Sequence, residues 1–400
     1  LANDKPKVSL ALCGDYNRHA VEKAVRASVE ALGGIEKFVR KGQRVLLKPN
    51  LLAPKDVSSM VTTHPEIMRA VLSLVLDAGA DVVIGDSPAI GSAVSVSRKA
   101  GILEVAEHFG VKVMNFTEAC RAKSAENCTY KMLDLAREAL EAEVIINLPK
   151  IKTHGAMSLT MAVKNLFGCV VGRAKTQWHL KAGRDAIAFA RMLVDICSTL
   201  KPALTIADAV VGMEGNGPSS GTLRRFGWVS ASADVVAMDR VITDVLGAPP
   251  SRVYVLEAAR QANAGETELD CIEVVGETIE AAKAVGQTDR RPVELPPDPF
   301  ERSRMGELMR RLVKSSLTPE PVIDHNICTR CGTCIDICPP QVIKFEQMRK
   351  KDKAGYDRKA VIDRLGCIHC FCCQEVCPEG AITIKSGRLA GLLARSPAQA

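Results

Sequence analysis

Aromatic residues make up only 4% of this 400-residue chain, which leaves few surfaces on which nucleobases would stack. Long apolar runs are missing as well. Charges interrupt even the greasiest window, Ile67 to Ile84, so no stretch reaches the roughly 20 apolar residues of a membrane span. The first residues, Asp4-Lys5-Pro6-Lys7 ahead of a short apolar patch, lack the core of a secretory signal, and the expected compartment is cytoplasmic. Nucleotide signatures are absent too. There is no Gly-x4-Gly-Lys-Ser/Thr loop, and the nearest approach to Gly-x-Gly-x-x-Gly has Ser220 in place of its last glycine. Gly85-Asp86-Ser87-Pro88-Ala89 lacks the second glycine of a nucleophile elbow and has no triad partners. Asp86 is therefore read as a ligand-facing group in a turn.

Cysteine, in contrast, is plentiful. Fifteen cysteines in a secreted chain would suggest disulfides, but the number is odd and eight of them cluster, which points to metal ligation in a reducing compartment. Cys328, Cys331, Cys334 and Cys338 precede Pro339, and Cys367, Cys370, Cys373 and Cys377 precede Pro378. Each run reads Cys-x2-Cys-x2-Cys-x3-Cys-Pro. Three closely spaced thiolates wrap one iron–sulfur cubane from a single loop, and the fourth of each run ligates the other cluster. The expected sets are Cys328, Cys331, Cys334 with Cys377, and Cys367, Cys370, Cys373 with Cys338, each holding one [4Fe-4S] cluster. Zinc takes separated pairs and has no use for this interleaving; a structural, redox-silent cluster is the other alternative. Cys372 lies off the ligand spacing and reads as a packing residue or free thiol.

From Val322 to Lys385 the chain resembles the bacterial two-cluster ferredoxins. The resemblance implies a small α+β ferredoxin-like domain, a pseudo-twofold pair of hairpins with two helices. Its departure is a polar insertion, Phe345 to Arg358, expected to lengthen a hairpin without touching the ligands.

The remainder reads as a large, mainly parallel-sheet α/β domain. Strand candidates at Val45–Leu47, Asp81–Ile84, Val111–Asn115, Glu143–Asn147, Leu204–Ala207, Trp228–Ser232 and Cys271–Val275 alternate with helical patterns at Ala20–Leu32, Glu66–Ala78, Met132–Ala142 and Ala186–Leu200. Pro292, Pro296, Pro297 and Pro299 mark a linker. Glu301 to Lys314 has the pattern of a short amphipathic helix, expected to dock one domain to the other, with membrane-surface binding as the alternative. The expected division is 1–288 for the α/β domain, 289–320 for linker and helix, 321–386 for the cluster domain and 387–400 for a weakly ordered tail.

Charge is unevenly spread. Between Glu143 and Asp185 there is no acidic residue, while Lys150, Lys152, Lys164, Arg173, Lys175, Lys181, Arg184, His154 and His179 all fall there. Lys150 to His154 would follow a strand's carboxyl end, where open α/β sheets bind ligands. A glycine-rich loop, Gly212 to Thr222, would follow the strand at Leu204–Ala207 and bring amides to an anion. The expected partner is a small carboxylate or phosphate ligand. A solvated basic face is the alternative, and nucleic acid is disfavoured because only Phe167 and Trp178 offer stacking in this segment. His64, His154 and His179 are candidate catalytic residues. No spacing links them as a further metal site.

Several motifs resemble the domain-of-unknown-function 362 family: Leu47-Lys48-Pro49-Asn50-Leu51-Leu52, Thr63-His64-Pro65-Glu66, Gly85-Asp86-Ser87-Pro88, Asn147 through His154, Lys164-Asn165-Leu166-Phe167-Gly168 and Gly212 through Pro218. The family implies an architecture, often with such a ferredoxin module, and no reaction. Lys48, Asn50, Asp86, Lys150, Lys152, His154, Lys164, Asn165, His179 and Glu214 are the expected substrate-binding residues. The leading expectation is an iron–sulfur oxidoreductase passing electrons to or from the anion. The alternatives are a carrier or redox-sensing subunit docking a redox partner protein, and a cofactor-binding or maturation factor.

Overall fold

In the computed structural model, the described residues are 5–172, 174–285, 291–298, 319–348, 351 and 355–385. The expected docking helix Glu301–Lys314 and the tail beyond Gly387 lie outside them.

The first twelve strands are β1 (Lys7–Leu12), β2 (Arg44–Pro49), β3 (Asp81–Asp86), β4 (Lys112–Asn115), β5 (Ala119–Lys123), β6 (Met132–Ala136), β7 (Val144–Leu148), β8 (Lys150–His154), β9 (Ser158–Thr160), β10 (Leu204–Glu214), β11 (Thr222–Ser232) and β12 (Glu273–Gly276). The central sheet runs β12-β1-β11-β10-β7-β2-β3-β4. From β10 to β4 every pair is parallel, and β11 lies antiparallel between β1 and β10. The result is the mixed, mostly parallel α/β sheet that the sequence suggests.

The central strands are apolar at consecutive positions because both faces of the sheet are covered. On one face, Val25, Ile67 and Val71 from the helices Arg18–Glu30 and Pro65–Asp77 pack on Val45, Leu47, Ile84 and Ile146. On the other, Phe189, Leu193, Val241 and Leu256 pack on Leu10 and Trp228. Each fully buried side chain of this kind stabilises the fold by about 1.5–3 kcal/mol. Helix starts follow their caps: Asn17 accepts from the His19 and Ala20 amides, and Asp234 from those of Val236 and Ala237.

Three expectations need correction. Met132–Ala142 is not one helix. Met132–Ala136 pairs as β6 with β5, and only Arg137–Glu141 is helical, since Leu133 and Leu135 also satisfy the two-residue period of a strand. Lys150–His154, expected to follow a strand's carboxyl end, forms a strand of its own, β8, paired with β10 and β9. Gly212–Thr222 is not a loop after a short strand. β10 continues to Glu214, and a hairpin turn at 215–221 leads into β11.

The cluster domain has two antiparallel pairs, β13 (Glu320–Ile323) with β16 (Ile382–Lys385) and β14 (Ile343–Gln347) with β15 (Arg358–Ile362). Two short helices, Thr333–Asp336 and Cys372–Glu375, complete it. The described ends of the insertion, Phe345–Gln347 and Arg358, lie on the paired strands β14 and β15.

Candidate functional site

The cysteine loops curl by left-handed backbone at equivalent places in the two runs: Arg330 with His369, Gly332 with Phe371, and Gln341 with Gly380. Four of these six are not glycine, a cost that persists where the surroundings demand it. The thiols are thereby gathered around two small cavities. Cys328, Cys331, Cys334 and Cys377 line one, and Cys338, Cys367, Cys370 and Cys373 line the other. In each, four cysteines line a small cavity, and among the described residues no three His, Cys, Asp or Glu are gathered as a single metal ion would need. Four thiolates around a space suit a 4Fe-4S cubane.

The module sits directly on the α/β domain. Gln374 Nε2 donates to the Asn216 and Gly217 carbonyls (2.9 and 3.0 Å), and Ser219 Oγ donates to the Glu375 carbonyl at 2.7 Å. Arg184 Nε donates to the Cys367 carbonyl at 3.0 Å. The glycine-rich turn expected to hold an anion thus contacts the module, and its Pro218 also lines a cavity between the two. Gly155 is packed so tightly that an added Cβ would lie 2.5 Å from Ile384 Cδ1 and 3.3 Å from Phe371 Cβ. Gly155→Val is expected to prise module and domain apart, read as faster proteolysis between them with cluster absorbance retained.

Between module and domain lies a cavity of about 520 Å³, within the size range of small-ligand sites. It opens at the carboxyl ends of β2 and β3, and four lysines enter it: Lys48, Lys152, Lys164 and Lys175. Lys48 Nζ pairs with Asp86 Oδ1 at 3.0 Å and donates to the Pro49 carbonyl at 2.7 Å. Asp86 is further held by the amides of Ser87 and Leu51 (2.8 and 2.9 Å). An amide chain positions Lys152: Asn165 Nδ2 donates to Asn147 Oδ1 (2.8 Å), Asn50 Nδ2 to Asn165 Oδ1 (2.9 Å), and Lys152 Nζ to Asn50 Oδ1 (2.9 Å). Burial pulls the Lys152 ammonium down to about 7 and that of Lys175 to about 8, and lowers Lys164 too. Lys164, 9% exposed, has no hydrogen bond or ion pair among the described residues.

The module supplies the opposing wall through Ile337, Cys372, Glu375 and Val376. Burial would raise the Glu375 carboxyl, but His154, Lys164 and His179 hold it well below the usual carboxylate range. His154 Nδ1 accepts from the Ala156 and Met157 amides (3.1 and 3.2 Å), so the neutral ring carries its proton on Nε2. That Nε2 faces Glu375 Oε2 at 3.8 Å, beyond direct hydrogen-bond reach, and it has no other partner. The cavity-lining Thr160 Oγ1 is likewise buried without a partner. His179 stacks on Phe189 at 4.3 Å. Burial lowers His154 to about 4 and His179 to about 3, which makes both neutral hydrogen-bonding groups at pH 7 rather than stores of protons.

Of the expected binding residues, Lys48, Asn50, Asp86, Lys152, Lys164, Asn165 and His179 line this cavity, and His154 stands just behind Glu375. The binding candidates Lys150 and Glu214 and the catalytic candidate His64 do not. Lys150 is buried against Asp208 Oδ2 at 2.9 Å and against Tyr16. His64 stacks on that same Tyr16 ring at 3.5 Å. Glu214 pairs with Arg224 and Arg291 and clamps residues 291–294 onto the domain. These three satisfy neighbours of their own. The first half of the acid-free segment is not a solvated face, since all five residues of β8 are buried, whereas Lys181 and Arg184 farther on are exposed. Lys175, Thr160, Cys372 and Glu375 line the site without having been singled out for it. Lys175 was within reach, because it lies in the acid-free segment.

The family described as Domain of unknown function (DUF362) matches residues 45–244, and a 4Fe-4S dicluster domain matches 327–381. A thylakoid-associated protein of Synechocystis sp. is 41% identical over 251 residues, covering 63% of this chain and 78% of the relative. Two solved structures are similar. The lactate racemase apoprotein of Thermoanaerobacterium thermosaccharolyticum has 14% identity and a TM-score of 0.36 over 52% of each chain. A structural-genomics target from Thermotoga maritima has 13% identity and a TM-score of 0.32 over 48% of this chain and 50% of that one. The chain thus spans about half the length of these two. No helix among the described residues is long and apolar enough to cross a membrane. The dicluster match makes the cysteine module an iron–sulfur unit that binds 4Fe-4S and supports an electron-transfer role. With half its length matched and a relative covered over 78%, the chain belongs to the DUF362 family and carries a 4Fe-4S dicluster domain.

Proposed function

We propose that this protein is an iron–sulfur oxidoreductase, or the redox half of one, in which two [4Fe-4S] clusters serve an anionic molecule held between the α/β domain (1–288) and the module (321–386). One observation carries this reading. Three cavity-wall residues, Ile337, Cys372 and Val376, are chain neighbours of the ligand cysteines Cys338, Cys373 and Cys377, so a molecule in the cavity touches the shells of both clusters.

The clusters, when bound, supply one-electron chemistry. The chain's own residues do the rest. Lys164 and Thr160 bind the anion. Asn50, Asn165 and Asn147 fix Lys152, whose ammonium, titrating at about 7, is matched to deliver or take a proton at neutral pH. Leu51, Phe116 and Phe167 give the cavity apolar walls, which strengthens every charge interaction within it. Cys331 is exposed and marks the side on which a redox partner protein would exchange electrons.

Protein purified without oxygen is expected to hold about eight iron and eight sulfide per chain, with a small anion detectable by mass spectrometry on the same sample. Lys164→Ala should weaken retention of that anion by about 100-fold, the scale for stripping one partner from a buried charge contact, with iron content unchanged. Intact clusters with no retained anion, and electron exchange with a partner protein indifferent to Lys164→Ala, would make the protein a carrier.

A further inference from the structure

We propose that the cavity is built for a dianion, a molecule carrying two negative charges on phosphoryl or paired carboxylate oxygens, with a carbon body beside them. This rests on the reading of the cavity as an anion site and says which anions it takes.

Charge gives the first argument. Four lysines face two carboxylates, Asp86 and Glu375, in one enclosure, a surplus of two positive charges once all four are protonated. Burying such a surplus is costly unless a counter-charge enters with it.

Hydrogen bonding gives the second. Each ammonium has three N–H donors and no acceptor. Lys48 uses two, on the Pro49 carbonyl and Asp86; Lys152 uses two, on Asn50 and the Val61 carbonyl; Lys175 uses one, on the Ser87 carbonyl. Lys164 uses none among the described residues. Seven of the twelve N–H groups thus lack an acceptor there, and the His154 Nε2 proton and Thr160 hydroxyl add to them. A single carboxylate offers about four lone-pair sites and one charge. A phosphoryl group or a pair of carboxylates answers both counts.

Volume gives the third. A cavity of about 520 Å³ has space well beyond an inorganic ion, and Leu51, Leu52, Phe116 and Phe167 line it with apolar surface suited to a carbon body.

Binding has a proton signature. Lys152, lowered by burial to about 7, faces Glu375, Lys150 and Lys164; Lys175, lowered by burial to about 8, faces Asp86, Lys48, Cys169 and Glu375. An entering dianion favours the charged form of both lysines, so binding at pH 8 takes up protons. His154 and His179, at about 4 and about 3, stay neutral there.

The test is calorimetry on the full chain, reconstituted anaerobically, at pH 8 in two buffers of different ionisation enthalpy. The probes are succinate, inorganic phosphate and succinamate, the last matching succinate in size with one charge fewer. The expected result is that succinate, phosphate or both bind at least tenfold tighter than succinamate, with proton uptake. Lys164→Gln and Lys175→Gln, each checked for intact cluster absorbance, should weaken that binding. Preference for phosphate alone identifies a phosphoryl ligand, and for succinate alone a dicarboxylate. Succinamate binding as tightly as both dianions overturns the inference and leaves an anion site standing. Binding without proton uptake and indifferent to both variants is adsorption elsewhere and also overturns it. No binding by any probe, with clusters intact, sinks the anion-site reading itself.

Discussion

Replacing Cys377 by alanine is expected to cost the cluster held by Cys328, Cys331 and Cys334, whose nearest member lies more than forty residues earlier in the chain, and to spare the cluster of its own run. Cys377 lines the cavity of the first three thiols, while Cys338 lines that of Cys367, Cys370 and Cys373. Iron and sulfide should fall by about half, the loss of one cubane of two. Cys338→Ala should give the same loss with the other cluster's signals in electron paramagnetic resonance. The two sites share one small apolar core that includes Cys373, Cys377, Ile343 and Ile382, so an alanine variant that empties both is to be compared with Cys377→Ser. Serine keeps an oxygen donor and should perturb the signals of one cluster only. Loss confined to the cluster of the mutated residue's own run would refute the crossed pairing.

The second large effect concerns a residue with no side chain. A Cβ placed on Gly168 would lie 2.1 Å from Asp86 Oδ1 and 2.6 Å from Lys48 Nζ. Those atoms form a fully buried ion pair, and the Gly168 carbonyl also accepts from the Ser87 amide at 3.1 Å. Neither partner can withdraw to water, and separating them leaves an unpaired charge. Gly168→Ala is expected to destabilise the domain by about 3 kcal/mol or more and to abolish anion binding. Chemical denaturation measures the first and calorimetry the second. A variant of native stability would show that the loop shifts freely and that the pair does not fix the cavity floor.

What was legible in the sequence was whatever depends on local spacing. The two cysteine runs carry their own geometry, and the apolar stretches Val45–Leu47 and Val144–Ile146 could only be strands covered on both faces. Met132–Ala136 misled because its apolar residues satisfy both helical and strand periods, and the partner that decides, β5, is set by tertiary pairing. Lys150 and Lys152 looked equivalent, two residues apart just past a strand's end. Yet β8 shifts register against β10 between these positions, and Lys150 meets Asp208 while Lys152 meets Asn50. Glu375 was out of reach altogether. Its neighbours in sequence are cluster ligands, and its neighbours in space are residues of β8 and of the helix Ala174–Ala182 some two hundred positions earlier.

Under the proposed function, that placement of Glu375 would tie cluster loading to anion binding. The helix Cys372–Glu375 contains the expected ligand Cys373 and is flanked by Cys370 and Cys377, and in small metal domains ordering of such a segment is linked to loading of the metal. The same segment closes the cavity. A chain still awaiting its iron would present the lysines as an open, hydrated shelf without their opposing wall, and would hold its anion poorly. Under the proposed function, anion capture would thereby report that the module is already loaded.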